Sequence, residues 1–159
     1  MKRIIVSALT ALSILCLSIP VTAKAATPEI ANTTSYTEYY DDGSYSVITI
    51  TEYEQSAISS VTSTKPGSKS YTHYVSGEAV WSYTINASFS YNGSSSSCTS
   101  VSDSYSISNS SWHIDSHSCS RSGNTAYGSV TMKKKVLGIT TDTVSRSLSL
   151  SCSASGTLS

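Results

Sequence analysis

A row of metal-ligand side chains lies in the second half of the chain. His113, Asp115, His117 and Cys119 occupy alternate positions, and alternate residues of a β-strand point to the same face. Imidazole, carboxylate and thiolate groups are common zinc and copper ligands in proteins. The spacing therefore makes His113, Asp115 and His117 candidate metal ligands, with Cys119 beside them. The alternative is that they form the water-facing side of a half-buried strand.

No catalytic motif accompanies these residues. The sequence has no G-x-S-x-G nucleophile elbow, no H-E-x-x-H zinc motif and no glycine loop of the kind that holds phosphates. Glu52 and Glu54 are acids of the type that glycosidases pair, but on a strand they are equally well explained as solvated surface residues. We therefore expect a non-enzymatic protein without catalytic residues and without a cofactor.

Tyrosine is the main large side chain, because the chain has 11 tyrosines and a single phenylalanine. Tyrosine has an apolar ring and a polar hydroxyl, so exposed tyrosines beside hydroxyl-rich strands can stack on sugars and hydrogen-bond them. The candidates for such contacts are Tyr36, Tyr39, Tyr40, Tyr71 and Tyr74. The same rings can instead fill a core that has few other large residues. A cell-surface glycan or protein is the expected partner.

The first 25 residues have the pattern of a secretory signal peptide. Met1-Lys2-Arg3 is a short positive start, an uncharged apolar run extends from Ile4 to Ile19, and Ala23 and Ala25 form an A-x-A cleavage pattern. We expect cleavage between Ala25 and Ala26. The apolar run is shorter than the roughly 20 residues that span a bilayer. A secreted, extracellular protein with no membrane span after cleavage is therefore expected.

Cleavage would remove Lys2, Arg3 and Lys24 but no acidic residue, which leaves a mildly acidic chain. The basic run that remains is Lys133-Lys134-Lys135, and on a strand such a run more often marks a solvated or edge surface. Nucleic-acid binding takes most of its affinity from Lys and Arg contacts with phosphates. The composition therefore argues against nucleic acid as a partner.

The elements that position these side chains are predicted to be strands. Residues Glu78 to Tyr91 alternate between large apolar and small polar side chains, and Asn92-Gly93 follows as a hairpin turn. Asp41-Asp42-Gly43 is a second hairpin turn, and Lys65–Ser68 has Pro and Gly where a type II turn needs them. The predicted strands are Thr34–Tyr40, Ser44–Tyr53, Ile58–Thr62, Lys69–Val75, Glu78–Tyr91, Cys98–Ile107, Trp112–Cys119, Thr125–Leu137 and Ile139–Ala154.

No segment after the signal peptide has a helical period. Short antiparallel strands joined by tight turns predict an all-β single domain, either a sandwich or a barrel-like variant. The sandwich is favoured because serine-rich strand faces suit a sheet that is wet on one side. The predicted domain covers residues 34–159 and follows a flexible leader at residues 26–33.

Three cysteines remain after cleavage, so one thiol is left over if the exported chain forms a disulfide. Alternation places Cys98 and Cys119 on the polar side of their strands and Cys152 on the apolar side, which favours a Cys98–Cys119 pair. Chain entropy gives about 3.4 kcal/mol for that loop and about 4.2 kcal/mol for a Cys98–Cys152 loop. These values are too close to choose between the two pairings.

Several segments of the second half resemble a family of small exported proteins of Gram-positive bacteria, a domain of unknown function. The segments are Gly67–Thr72, Trp81–Thr84, Phe89–Ser94, Cys98–Ser100 and Leu150–Gly156. The resemblance extends over roughly residues 65–159 and implies an extracellular β domain. It also implies a Cys98–Cys152 disulfide, since both cysteines fall in the resembling segments and Cys119 does not.

Taken together, these features predict a secreted, non-enzymatic β-sandwich protein that binds a glycan or another surface component. One alternative is a secreted bacteriocin-like effector, a role that small exported β domains can have. A second alternative is a weak metal-binding protein that uses His113, Asp115 and His117.

Overall fold

The computed structural model describes residues 28–54 and 62–159 of the chain. In these ranges it contains eight β-strands and no helix, and the strands form two antiparallel sheets. The strands are β1 (Ile30–Tyr39), β2 (Tyr45–Tyr53), β3 (Ser63–Val75), β4 (Glu78–Tyr91), β5 (Ser96–Ile107), β6 (Trp112–Ser122), β7 (Thr125–Val136) and β8 (Ile139–Ser151). The prediction of an all-β antiparallel fold is confirmed.

Both sheets are meanders, in which each strand pairs with the next one along the chain. The first sheet has the order β1-β2-β3-β4-β5 and the second has the order β6-β7-β8. Residues 108–111 connect them and carry the chain from one sheet to the other. Because the sheets remain separate and pack around one core, the architecture is a sandwich rather than a closed barrel.

Strand β4 supplies the centre of the core, and its bounds are those predicted from the alternation. Trp81, Tyr83, Ile85 and Phe89 are almost completely buried, while the serine, threonine and asparagine residues between them point to the opposite face. The second sheet covers this row with buried apolar residues of its own, namely Trp112, Ala126, Val130, Met132, Leu148 and Leu150.

The two largest differences between predicted and observed boundaries lie at the starts of β1 and β3. Strand β1 begins at Ile30, inside the segment predicted as a flexible leader. Lys65–Ser68 is not a turn, since it lies within β3. Pro66 is tolerated there because the β2–β3 pairing ends at Glu52 and Gly67, so β3 has a paired neighbour on only one side at Pro66.

Two further predictions fall largely or wholly outside the described residues. The short strand Ile58–Thr62 falls almost entirely within residues 55–61, which are not described. The signal peptide and its cleavage site between Ala25 and Ala26 lie before residue 28, where the description begins.

The two sheets differ in width, which leaves one side of the larger sheet uncovered. The three strands of the second sheet cannot cover all five strands of the first, and every residue of β1 is exposed. Exposed large side chains on this strand include Ile30, Tyr36 and Tyr39. The first sheet therefore presents to solvent its whole outer face and, near β1, part of its inner face.

Candidate functional site

The predicted metal ligands do not share one face in the structure. A bulge between Ile114 and Ser116 shifts the register of β6, so the alternation changes phase at Asp115. Asp115 forms an ion pair with Lys133 on β7 at 2.8 Å, whereas His117 points to β5. The Nδ1 atom of His113 lies 3.2 Å from the carbonyl oxygen of Ser111. The expectation of a common face is wrong because of the bulge.

His117 belongs instead to a small polar cluster around Asp103 of β5. Its Nδ1 atom lies 2.8 Å from Asp103 Oδ2, and the Tyr83 hydroxyl donates to the same oxygen at 3.0 Å. The Cys119 thiol lies near this carboxylate, whose charge adds to the effect of burial in raising the thiol pKa. Asp103 was not predicted from the sequence as a site residue, although it shares the inward alternation of Val101. Across the described ranges, no three His, Cys, Asp or Glu residues are grouped so that they could hold a metal ion.

The electrostatics of this cluster oppose nucleophilic chemistry. Burial and the neighbouring Asp103 carboxylate raise the pKa of Cys119. The pKa of Asp103 is lowered, because the bonds from His117 and Tyr83 outweigh the effect of burial. A reactive cysteine needs neighbours that favour its thiolate, and here the neighbouring carboxylate favours the thiol. The cluster therefore joins β5 to β6 without activating a nucleophile.

A second polar network lies inside the sandwich. Ser46 donates to the Tyr71 hydroxyl at 2.5 Å and lies 3.1 Å from Nδ1 of His73. Arg146 of β8 donates from Nε to the same Tyr71 hydroxyl at 2.8 Å, and its guanidinium lies 4.7 Å from the centre of the Tyr40 ring. Sequence reasoning missed Arg146, although it shares the inward alternation of its strand. The network ties the two sheets together.

The five tyrosines predicted as sugar contacts have different environments. Tyr71 is buried, and burial raises its pKa to about 12, so it cannot contact a ligand. The hydroxyl of Tyr40 bonds Glu38 and Tyr71, and Arg146 covers the ring. The tyrosines that remain open to solvent are Tyr36, Tyr39 and Tyr74, of which Tyr74 is half-buried.

Tyr39 and Tyr74 belong to one aromatic row that also includes Tyr45. The Tyr45 and Tyr74 rings are stacked, with centres 4.7 Å apart and planes 3° apart. Tyr39 continues the row with its ring centre 5.7 Å from that of Tyr45. We call these three residues the tyrosine row. Its outer member, Tyr39, is 79% exposed, so one end of the row presents a free ring.

The tyrosine row borders a face that is covered with hydroxyl groups. The strand register aligns one hydroxyl residue from each strand of the first sheet, and these are Ser35, Thr49, Ser70, Thr84 and Ser104. The next row is Thr33, Thr51, Ser68, Asn86 and Ser102, in which Asn86 supplies an amide and Ser68 is buried. The Ser35 and Thr49 hydroxyls are 2.9 Å apart. We call this side of the first sheet the hydroxyl face.

The aligned rows of the hydroxyl face contain no charged residue. The charged residues of the first sheet fall on the opposite alternation, and these are Glu38, Glu52, Lys65, Lys69, Glu78 and Asp103. Lys65 and Glu52 pair there at 2.5 Å, so Glu52 is not a free acid. Separating charged from hydroxyl residues in this way leaves a broad neutral surface. Sequence reasoning noticed the serine rows but not this separation.

A shallow groove of about 280 Å³ crosses the hydroxyl face at one end. Its lining combines hydroxyl groups and an amide with the ring of Tyr53 and two prolines. The lining residues are Pro28, Tyr53, Pro66, Gly67, Asn86, Ala87, Ser88, Ser100 and Ser102. This volume lies just below the roughly 300 Å³ at which typical small-molecule pockets begin, so it suits a small unit of a larger ligand.

The three cysteines predicted to remain after cleavage are free thiols in the structure. Cys98 and Cys152 are buried, whereas Cys119 is partly exposed beside Asp103. The predicted disulfide thus stays a prediction.

Comparisons with known proteins give no match, since no family model, no curated protein and no solved structure is similar to this chain. In the part of the chain that the structure describes, no helix is long and apolar enough to cross a membrane.

Proposed function

We propose that this chain is a secreted, non-enzymatic module that binds neutral glycans on the hydroxyl face of its five-stranded sheet. The observation that carries the proposal is the composition of that face, which is uncharged, rich in hydroxyls and bordered by the tyrosine row. Phosphorylated or otherwise charged ligands need ion-pairing groups, and the aligned rows offer none. A neutral polyhydroxylated ligand fits this chemistry.

The spacing of the hydroxyl rows suits a ligand with a repeating structure. Neighbouring strands lie about 4.8 Å apart, and successive outward residues along one strand lie roughly 6.8 Å apart. Serine, threonine and asparagine can each both donate and accept hydrogen bonds. A polysaccharide chain could engage several of these groups at once, so that weak single contacts add to a useful affinity.

The tyrosine row and the groove would supply the stronger contacts. Tyr39 offers a free aromatic ring at one corner of the face, where the apolar side of a sugar ring can stack. The groove near Tyr53 and Asn86 lies at the other end of the same strands. A ligand that extends between them would lie along the hydroxyl face.

Binding to insoluble and soluble neutral polysaccharides tests this proposal. We expect the purified protein to sediment with at least one of cellulose, chitin, xylan or β-glucan. Replacing Tyr39 with alanine should weaken binding by about tenfold, since an aromatic contact contributes on the order of 1 kcal/mol beyond its buried area.

The matched control is Tyr127→Ala, which removes a tyrosine of the other sheet that is 44% exposed. This variant should bind like the unchanged protein. The proposal fails if no neutral polysaccharide or glycan-array sugar is bound, or if Tyr39→Ala and Tyr127→Ala weaken binding equally.

A further inference from the structure

The turn between β7 and β8 places three apolar side chains in water. Leu137 is 98% exposed, Ile139 is 69% exposed and Val136 is 47% exposed. Val136 and Ile139 face each other as the last register pair of the hairpin, so the three side chains form one contiguous cap. We call residues Val136–Ile139 the hairpin tip. An apolar cluster at the end of a hairpin marks an interaction site more often than a single exposed residue does.

The backbone conformation of the hairpin tip does not explain why a leucine occupies position 137. Leu137 has φ +50° and Gly138 has φ +83°, as in a two-residue turn with both central residues in the left-handed region. Asn-Gly is the preferred sequence for such a turn, and a bulky residue at positive φ is unfavourable. Leu137 is therefore a poor choice both for the turn and for solvent.

The tip extends beyond the core of the sandwich. Met132 is the last fully buried residue of β7, and residues 135–143 are all exposed. The apolar cap can therefore leave water and insert into an apolar environment without disturbing the packing between the sheets. Its convex shape does not suit the capture of a small molecule, which requires a concave site.

Three consecutive lysines adjoin the apolar cap. Lys133 is neutralised by Asp115 at 2.8 Å. Asp142 lies opposite Lys134 in the register, and its carboxylate accepts the backbone N–H of Thr143 at 2.7 Å. Over the described residues, neither Lys134 nor Lys135 forms an ion pair. Two positive side chains thus remain available directly behind the cap.

We propose that the hairpin tip binds the surface of anionic lipid bilayers. Val136, Leu137 and Ile139 would enter the boundary between headgroups and acyl chains, while Lys134 and Lys135 contact lipid phosphates. Charge complementarity and the convex apolar cap favour a bilayer over a protein partner. The tip belongs to the second sheet and the hydroxyl face to the first, so this site and the glycan site can succeed or fail separately.

Sedimentation with lipid vesicles tests the proposal. The purified protein should bind vesicles that contain phosphatidylglycerol and bind pure phosphatidylcholine vesicles more weakly. Replacing Lys134 or Lys135 with glutamine should weaken binding to the anionic vesicles by about fivefold for each lysine. Added salt should also weaken binding to the anionic vesicles, because it screens these charges.

The decisive variant is Leu137→Asn. Asparagine suits the left-handed turn better than leucine, so the thermal unfolding midpoint should stay equal or rise. Vesicle binding should nevertheless fall by at least about tenfold, because the most exposed apolar side chain is lost. Ile30→Asn is the matched control, since it removes an exposed aliphatic residue of β1, 61% exposed, on the other sheet. It should bind vesicles normally.

Three results would overturn the proposal. The first is equal binding of anionic and neutral vesicles, or no binding to either. The second is unchanged vesicle binding by Leu137→Asn. The third is a dimer in light scattering that Leu137→Asn converts to a monomer, since the tip would then contact a second copy of the chain instead of lipid.

Discussion

At the scale of single residues, the buried polar side chains are notable because most of them are paired. Ser46, Tyr71 and His73 are each less than 4% exposed, yet hydrogen bonds connect all three. An unpaired buried polar group costs on the order of 1–3 kcal/mol, so this pairing makes the network tolerable. The indole nitrogen of Trp81 is the exception among the described residues, since it is buried without a partner.

His73 makes the stability of the protein depend on pH. Burial, and then the positive charge of Arg146, lower the pKa of His73, so the folded protein holds this ring neutral. The unfolded chain takes up the proton at about pH 6.5. Stability is therefore fully present above about pH 6.5 and falls as the pH decreases below it, by at most about 1.4 kcal/mol per pH unit.

Urea unfolding at pH 7.5 and pH 5.0 measures this effect. We expect a lower unfolding free energy at pH 5.0, and a smaller difference between the two pH values in a His73→Gln variant. Glutamine keeps a hydrogen-bonding group near Ser46 but does not titrate in this range. His113→Gln, in an exposed residue, should keep the original difference. An unchanged difference in His73→Gln would show that another group titrates.

At the scale of elements, the regularity of each strand decides what the sequence can predict. Strand β4 has the same bounds in sequence and structure, because its alternation is unbroken from Trp81 to Phe89. Strand β6 contains a bulge at Asp115, and one inserted residue reverses the face of all that follow. The expectation of a common face for His113, Asp115 and His117 failed at this step, although the strand itself was predicted.

Lys65–Ser68 shows a second limit of local reasoning. Pro66-Gly67 is a good turn sequence, but it lies inside β3. Glycine at position 67 leaves room for a tertiary contact, since a Cβ at this position would overlap the side chain of Leu158. That contact joins residues far apart in the sequence, so no local pattern could reveal it.

Gly128 has a similar tertiary role in β7, and it provides a test of how closely the sheets approach. A Cβ at Gly128 would overlap Ile85 and the hydroxyl of Tyr83 on β4. Replacing a glycine within a strand by alanine normally raises the free energy of unfolding by about 0.5–1 kcal/mol. Here we expect Gly128→Ala to lower the unfolding free energy by about 1–3 kcal/mol, because the core would be overpacked.

Urea unfolding monitored by tryptophan fluorescence checks this expectation. The neighbouring Ser129→Ala serves as the control, since Ser129 is exposed and its substitution should change stability by less than about 0.5 kcal/mol. Equal stability of Gly128→Ala and the unchanged protein would mean that the sheets are farther apart than the structure indicates.

At the scale of the whole molecule, the division of strands between the sheets was beyond the sequence. Turn signals predicted the β1–β2 and β4–β5 hairpins, but nothing local indicates that the first sheet closes after β5 or that the second has three strands. The separation of charged from neutral residues on the first sheet follows from register across five strands. This separation of charged from neutral residues could be predicted by aligning the predicted strands, but only if the pairing of the strands were already known.

The whole-molecule arrangement also bears on the two disulfide pairings. The N–H of Cys98 bonds the carbonyl of Gly123 at 2.8 Å, and the N–H of Cys152 bonds the carbonyl of Asn124 at 3.1 Å. Both cysteines thus flank one turn, and burial raises the pKa of Cys152, with smaller contributions from Glu52 and Cys98. Cys119 lies elsewhere, against Asp103. The geometry favours the pairing that the family resemblance implied over the pairing that alternation favoured.

We therefore expect the chain that the predicted cleavage would leave, under oxidising conditions, to carry a Cys98–Cys152 disulfide that joins β5 of the first sheet to the end of β8 in the second. Alkylation of the unreduced, denatured protein should label Cys119 alone, and peptide mapping should recover Cys98 and Cys152 linked. Reduction should lower the unfolding free energy by up to about 4.2 kcal/mol, because the unfolded chain loses a long closed loop. Cys119→Ser should keep both the bond and the stability. A linked Cys98–Cys119 peptide would show that a different bridge joins the sheets. Labelling of all three thiols would show that packing and hydrogen bonds alone hold the sheets together.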